Sequence, residues 1–219
     1  MAKPLVPVAG VPLIEHVIEN FAAAGITTLA MIFNEREEGC AKWVRSRFSG
    51  LDLRILVQTT ASSLESFQRI APLLESGPAI VSTVDAFCSR HDFLSFAETA
   101  AKARPEATVL AVTPFVDDER PLWASLDAAG RVTSLGADSG EVVTAGMYLF
   151  PEHVRRLSPP PTIGRLRGFL AWLVERGETV FGFSIEKVVD VDRSSDVALA
   201  EALARRAPPQ TRRRRAGRS

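Results

Sequence analysis

Polar residues that directly follow apolar, strand-like runs are the first places to look for chemistry in this chain. Asp85 closes the run AIVSTV at Ala79–Val84, and Gln58 leads Thr59-Thr60-Ala61-Ser62-Ser63 after LRILV at Leu53–Val57. Asp190 and Asp192 follow a late apolar segment and precede a helix that Ser194 or Ser195 can cap. Ligands of parallel α/β sheets gather at the carboxyl ends of strands, so all three groups stand where a ligand would lie. Two aspartates from distant parts of a chain that meet in space suit Mg²⁺. That ion takes one or two carboxylates and completes its octahedron with phosphate oxygens and water. A lone aspartate at the same positions serves equally well as a helix cap or a surface group, and spacing does not separate these readings. Lys3, ahead of the apolar stretch Leu5–Val8, is likewise either a solvated cation or a phosphate-neutralising one. His16, His91 and His153 each lack a Ser or Cys partner at a suggestive spacing, and Trp43, Trp123 and Trp172 read as packing residues.

The elements that must position these groups alternate through the first half of the chain. Periodicity predicts helices over Pro12–Ala24, Glu35–Phe48, Ser63–Leu74 and Asp92–Arg104. Between them, TLAMIF at Thr28–Phe33, LRILV, AIVSTV and TVLAVT at Thr108–Thr113 read as buried strands. Pro12 suits a first helical turn, and Gly25, Gly77 and Pro78 are stop signals. The rhythm of apolar strand and helix marks an α/β fold, doubly wound, with a mostly parallel mixed sheet covered on both faces. It then breaks into strand-like pieces at Trp123–Leu126, Arg131–Leu135 and Val142–Phe150, with a hairpin expected around Asp127-Ala128-Ala129-Gly130. A helix over Ile163–Arg176, a strand over Thr179–Ile185 and a helix over Ser195–Arg206 complete the pattern.

Composition sets limits on partners. Lys+Arg and Asp+Glu are 26 each, so net charge gives no ground for a nucleic-acid or membrane partner. Cys40 and Cys88 lie far apart without metal-ligand spacing, which fits a reducing cytoplasm. No apolar run approaches the roughly 18 residues a membrane span requires. Residues 1–207 are expected to form one domain. The stretch 208–219, with Arg212, Arg213, Arg214, Arg215 and Arg218, is expected to be a solvated basic tail.

Four segments, in order along the chain, resemble the sugar-phosphate nucleotidyltransferase family. The run Lys3-Pro4-Leu5-Val6-Pro7-Val8-Ala9-Gly10-Val11-Pro12-Leu13-Ile14 is similar to that family's K-P-L-(L/V)-P-V-x-G-x-P-(L/M)-(I/L) segment. The apolar strand ending in Asp85 matches a second motif, and Thr144-Ala145-Gly146-Met147-Tyr148-Leu149-Phe150 resembles N-(A/T)-G-(I/M)-Y-x-F. Asp190-Val191-Asp192-Arg193-Ser194-Ser195-Asp196-Val197 resembles D-(I/V)-D-T-P-E-D-L. The resemblance implies a Rossmann-like, nucleotide-diphospho-sugar transferase-like fold. It also implies transfer of a nucleotidyl group from an NTP to a sugar phosphate, with release of pyrophosphate. By match to the motifs, Lys3 would contact phosphate, and Asp85 would hold Mg²⁺ with Asp192 or Asp190. Gln58, Ser62 and Ser63 fall where the family carries base-reading residues, and the sugar would lie against Thr144, Ala145 and Gly146.

The chain also departs from the pattern. The family begins with a buried strand and a G-G-x-G-(T/S)-R loop whose amides cradle the triphosphate. Here Met1-Ala2 stands immediately before the lysine motif, so the sheet is expected to be missing its first strand and to expose two edges or a groove. Val84 stands where the family has Gly, Thr144 where it has Asn, and Arg193-Ser194-Ser195 where it has T-P-E. Two functional readings follow: a nucleotidyltransferase, and a non-catalytic nucleotide- or sugar-phosphate-binding relative that has lost the loop. Acceptors of the molybdopterin, phosphocholine or 2-phospholactate type are the alternatives to a sugar 1-phosphate.

Overall fold

In a computed structural model the described residues are 2–103, 106–116 and 120–206. The expected basic tail, 208–219, lies outside them. A 3₁₀ turn at Lys3–Leu5 leads into a short hairpin, β1 (Pro7–Val8) and β2 (Val11–Pro12), turned by Ala9 and Gly10, both at positive φ. Helix α1 (Leu13–Ala23) buries Leu13, Ile14, Ile18 and Phe21 and ends ahead of Gly25, whose φ of +79° an L side chain resists. Then come β3 (Thr28–Phe33), α2 (Glu38–Arg47), β4 (Asp52–Val57), α3 (Ser63–Ile70), β5 (Ala79–Ser82), β6 (Ala86–Phe87) and α4 (Arg90–Ala103). The second half holds β7 (Thr108–Thr113), β8 (Trp123–Leu126), β9 (Val132–Ala137), β10 (Val142–Phe150), α5 (Glu152–Arg155), α6 (Leu166–Glu175), β11 (Val180–Ser184), β12 (Val189–Asp190) and α7 (Ser194–Arg206). No helix among the described residues is long and apolar enough to cross a membrane.

The central sheet is mixed. Its path runs β11-β7-β10-β8-β9, and β5 also pairs with β10. Strand β10 is antiparallel to β5, β7 and β8, while β11 is parallel to β7, so β5, β7 and β11 all point one way. The expected hairpin forms between β8 and β9, closed by Asp127 and by Gly130 at φ +78°. Period-two alternation splits the core into two layers. On one face Val109 and Ala111 of β7 and Met147 and Leu149 of β10 pack against α1, α2 and α4. On the other face Leu110, Val112, Tyr148 and Phe150 pack against Phe67 of α3 and Phe169 of α6.

The sheet is interrupted where a missing strand was expected. Strands β3 and β4 form their own parallel pair, in register from Thr28↔Asp52 to Phe33↔Val57, with no ladder to β5. A cavity of about 1110 Å³ lies between β3 and β5. The short pair β6–β12 and helix α5 lacked a sequence signal, because two to four residues carry no periodicity.

The start of β5 is fixed from the far side of the sheet by a buried arginine. Arg155 donates through Nη1 to the Ala71 carbonyl at 3.0 Å and through Nη2 to the Glu75 and Gly77 carbonyls at 2.8 and 2.6 Å. Replacing it by Leu strips three carbonyls of their donor in a site with little water. Arg155→Leu is therefore expected to lower unfolding stability by about 2–3 kcal/mol. Urea denaturation with an unchanged m-value would show this, and a loss under about 0.5 kcal/mol would refute the assignment.

Candidate active site

Lys3, Asp85 and Asp192 converge from three distant parts of the chain. Lys3 Nζ donates to Asp85 Oδ2 at 2.7 Å and also to Asp192 Oδ1. Lys3 comes from the first 3₁₀ turn, Asp85 from the connection between β5 and β6, and Asp192 from the connection between β12 and α7. Main-chain pairing holds the two acidic segments side by side. Strands β6 and β12 are antiparallel, with Asp190 opposite Ala86, and the Val191 amide donates to the Asp85 carbonyl at 3.0 Å.

The start of α7 is capped by a residue that sequence reasoning had not selected. Asp196 Oδ2 accepts the amides of Asp192 at 3.0 Å and Arg193 at 2.6 Å, and Ser195 Oγ donates to its other oxygen. Burial acts to raise the Asp196 pKa, but these donors outweigh it and hold the carboxyl below its ordinary value. Of the expected caps, Ser195 donates its hydroxyl to Asp196. A carboxylate beside the free amides of a helix start is the signal that could have shown it.

Asp85 owes its position to Gly146. One edge of β10 is divided, with Val142 and Val143 pairing to β8, and Met147–Phe150 pairing to β5. Gly146 lies at the division, at φ +68°, beside a register shift against β7, and its carbonyl accepts the Thr83 amide at 3.1 Å. A Cβ there would stand 2.6 Å from the Ala86 Cβ and 3.0 Å from the Thr83 Oγ1. The missing side chain is thus what lets the Asp85 connection lie against β10. Thr144 is half-buried and hydrogen-bonds the Tyr148 phenol, whereas Ala145 turns its methyl into the core. Burial pushes the Tyr148 phenol up to about 12, with the charges of Asp190 and Asp85 adding to it against the Thr144 hydrogen bond. Asp190 thus stands near this phenol and is exposed.

The residues expected to read a base lie at the end of β4. The Gln58 amide donates to the Phe33 carbonyl at 2.9 Å, prolonging the β3–β4 ladder by one residue. Ser62 caps α3, accepting the Glu65 amide at 3.2 Å, and Ser63 Oγ accepts the Leu166 amide at the start of α6. Both hydroxyl oxygens accept main-chain amides. None of the three shares a hydrogen bond with the Lys3 cluster among the described residues.

Electrostatics bind the cluster together. Burial acts to raise the Asp85 pKa, but hydrogen bonds from Lys3 and Thr83 and the ammonium charge override it and hold the carboxyl below its ordinary range. For Lys3, burial acts to lower the pKa, and its bonds to Asp192 and Asp85 raise it above the usual lysine value. Two carboxylates around one ammonium form a hard-oxygen donor set of the kind Mg²⁺ takes. Among the described residues no group of three or more His, Cys, Asp or Glu could hold a metal by itself. A divalent ion here would need ligands from a substrate.

An α/β domain with this mixed sheet matches nucleotide-diphospho-sugar transferase-like folds. The chain belongs to the nucleotidyl transferase family of enzymes, whose sequence profile matches residues 1–158. Solved structures agree on the fold. The inositol-1-phosphate CTP transferase from T. maritima superposes with a TM-score of 0.77 at 17% identity, covering 93% of this chain and 87% of that one. A protein from Bacillus anthracis described as a glucose-1-phosphate thymidylyltransferase gives 0.76 at 18% identity, covering 95% and 88%. A UDP-glucose pyrophosphorylase complexed with UDP-glucose gives 0.72 at 13%, covering 91% and 89%. A search of curated protein sequences gave no significant match.

Two outcomes test this geometry. A carboxyl whose folded pKa lies below its unfolded value of about 3.9 contributes stability above that pH and loses it as pH falls through the folded pKa. In Lys3→Met the burial of Asp85 remains while its counter-charge is gone, so the folded pKa rises. The acid fall of the melting temperature is expected to be shallower in the variant than in the wild type, because a folded pKa nearer to or above the unfolded one removes or reverses the stability Asp85 loses on acidification. Superimposable Tm-against-pH curves would refute the pairing. Separately, Gly146→Ala adds a Cβ at positive φ against Ala86 and is expected to cost about 1–3 kcal/mol. Chemical denaturation checks it, and a neutral result would show that the contact with the Asp85 connection is dispensable.

Proposed function

We propose that this chain transfers a nucleoside monophosphate from an NTP to a phosphorylated acceptor, a sugar 1-phosphate, releasing pyrophosphate. The observation that carries the reading is the convergence of Lys3, Asp85 and Asp192 on one point beside the end of β5. The names of the superposable enzymes support the acceptor class, since inositol 1-phosphate and glucose 1-phosphate are both cyclic polyol monophosphates.

Phosphoryl-type transfer needs alignment and charge neutralisation more than covalent help from the protein. An oxygen of the acceptor phosphate forms a bond to the α-phosphorus of the NTP. The bond from that phosphorus to the bridging oxygen breaks, and pyrophosphate leaves with the electron pair. Asp85 and Asp192 are the residues that would hold Mg²⁺, which when bound offsets negative charge on the phosphates. Lys3 leaves its carboxylate partners to face the transferred phosphoryl group and stabilises charge as it builds. Thr144 and the backbone at Gly146 border the acceptor side, with Asp190 next to them. Gln58 has a side-chain amide with no hydrogen bond among the described residues, so it is the candidate to read the base. Ser62 and Ser63 shape that end of β4 through the start of α3.

The test is pyrophosphate release from a panel of NTPs and sugar 1-phosphates, with and without Mg²⁺. Activity is expected with at least one pair, is expected to vanish in EDTA, and should fall at least about 100-fold in Lys3→Met and Asp85→Asn. Silence across the panel would overturn the proposal, and full activity in Asp85→Asn would overturn the assignment of the site.

A further inference from the structure

The three tryptophans have different surroundings. Trp43 packs against one core layer beside Phe48, and Trp172 packs against the other between Phe169 and the Arg176 guanidinium. Trp123, the first residue of β8, is half-buried, yet it joins none of the core layers. Among the described residues it makes no ring contact, and its indole N–H has no hydrogen-bond partner. The expectation that all three are packing residues therefore holds for two of them. An indole left partly in water exposes a large apolar ring with a polar handle, which folding alone does not reward.

Strand register puts that ring at the end of the sheet where Asp85 emerges. Thr113 of β7, Val143 of β10 and Trp123 of β8 stand opposite one another in consecutive ladders, so their side chains share a face. Ala111 and Ala145 pack on that face, and Ala86 and Cys88, just beyond Asp85, join the same layer. The other cross-strand neighbour of Trp123 is Ala137, small and exposed, which leaves that flank of the indole open. Val143 precedes Thr144 on the acceptor side, and the Thr144 amide donates to the Leu122 carbonyl at 3.1 Å, one residue before Trp123. Gly146, where the Asp85 connection docks, follows Val143 on the same strand. With ~3.3 Å per residue and one strand spacing of ~4.8 Å, the Trp123 backbone lies no more than ~11 Å from that point. A phosphorylated six-membered ring spans such a gap, from Asp85 and Asp192 toward the indole.

We infer that Trp123 is a specificity residue whose indole stacks on the ring of a cyclic polyol phosphate, with the phosphate at Lys3, Asp85 and Asp192. The inference rests on the proposed transfer to a phosphorylated acceptor and narrows the class of that acceptor. A cyclic polyol carries hydroxyls around its edge and C–H bonds across its faces. Those hydrogens are drawn to the negative face of the indole, and apolar surface leaves water on both sides of the contact. The indole N–H is left to meet a ring hydroxyl. An acyclic acceptor such as 2-phospholactate offers no face to stack. A quaternary ammonium, as in phosphocholine, is held by a cage of several aromatic rings, and Trp123 has no second ring against it among the described residues.

The experiment follows the indole N–H signals of the full ¹⁵N-labelled chain by NMR, with Mg²⁺ and a non-transferable NTP analogue present. The Trp123 signal is identified by its loss in Trp123→Phe. It is expected to shift on adding glucose 1-phosphate or inositol 1-phosphate and to stay in place with phosphocholine, while the Trp43 and Trp172 signals stay throughout. This readout needs no turnover, so it separates the inference from the proposed reaction. A Trp123 signal unmoved by both cyclic phosphates, or moved as far by phosphocholine, would overturn the inference. Where the chain turns over, Trp123→Ala is expected to raise the KM for the acceptor about tenfold or more, the effect of losing one stacked ring. The KM for the NTP is expected to be unchanged, and Trp123→Phe to recover part of the loss. An unchanged acceptor KM in Trp123→Ala would overturn the inference and leave the transferase reading standing.

Discussion

A single residue without a side chain divides the long edge of β10 between two partners. Val142 and Val143 serve β8, and Met147 to Phe150 serve β5, with Gly146 at positive φ between them. The connection that carries Asp85 comes down into that division, where the Thr83 amide meets the Gly146 carbonyl. From there the construction is sequential. Asp85 lends its carbonyl to Val191, β6 and β12 pair, and the turn into α7 brings Asp192 within reach of Lys3. Each contact presupposes the one before it. A distortion at Gly146 would therefore be felt across the whole cluster.

The charge balance of that cluster constrains what it can bind. One ammonium against two carboxylates leaves a net negative site that would repel a triphosphate. Phosphate binding becomes favourable only if more positive charge arrives with the substrate, which is the role a divalent cation plays in phosphoryl chemistry. The resting contacts of Lys3 are therefore read as holding the carboxylates together. Its position in the reaction requires those contacts to be exchanged for phosphate oxygens.

Long apolar strands and amphipathic helices were legible in the sequence because each repeats its period several times. The spans of TLAMIF, TVLAVT and β10 emerged where the pattern placed them, since burial on both faces or alternation across them is an extended signal. The arginine-held turn before β5 and the β6–β12 pair were not legible, because they arise from contacts between residues more than 70 positions apart. At the site, spacing marked Lys3, Asp85 and Asp192 only separately. Their meeting came from the resemblance and is visible in the fold. Ser62 and Ser63 illustrate the opposite case. A hydroxyl after a strand looks the same in sequence whether it faces a ligand or closes a helix, and here the neighbouring Glu65 and Leu166 amides take both.

Strand β5 joins the two halves of the problem. Its one ladder is to β10, its start is tied down by Arg155, and its far end leads straight into Asp85. The open edge toward β3 leaves four half-buried residues to fix the direction in which that aspartate leaves the sheet. A strand gains rigidity from ladders on both edges, because each amide that is paired on two sides has fewer ways to open. With its one ladder to β10 and its start tied to Arg155, β5 sets the direction of Asp85 through those two contacts, so the lysine–aspartate cluster inherits its order from them.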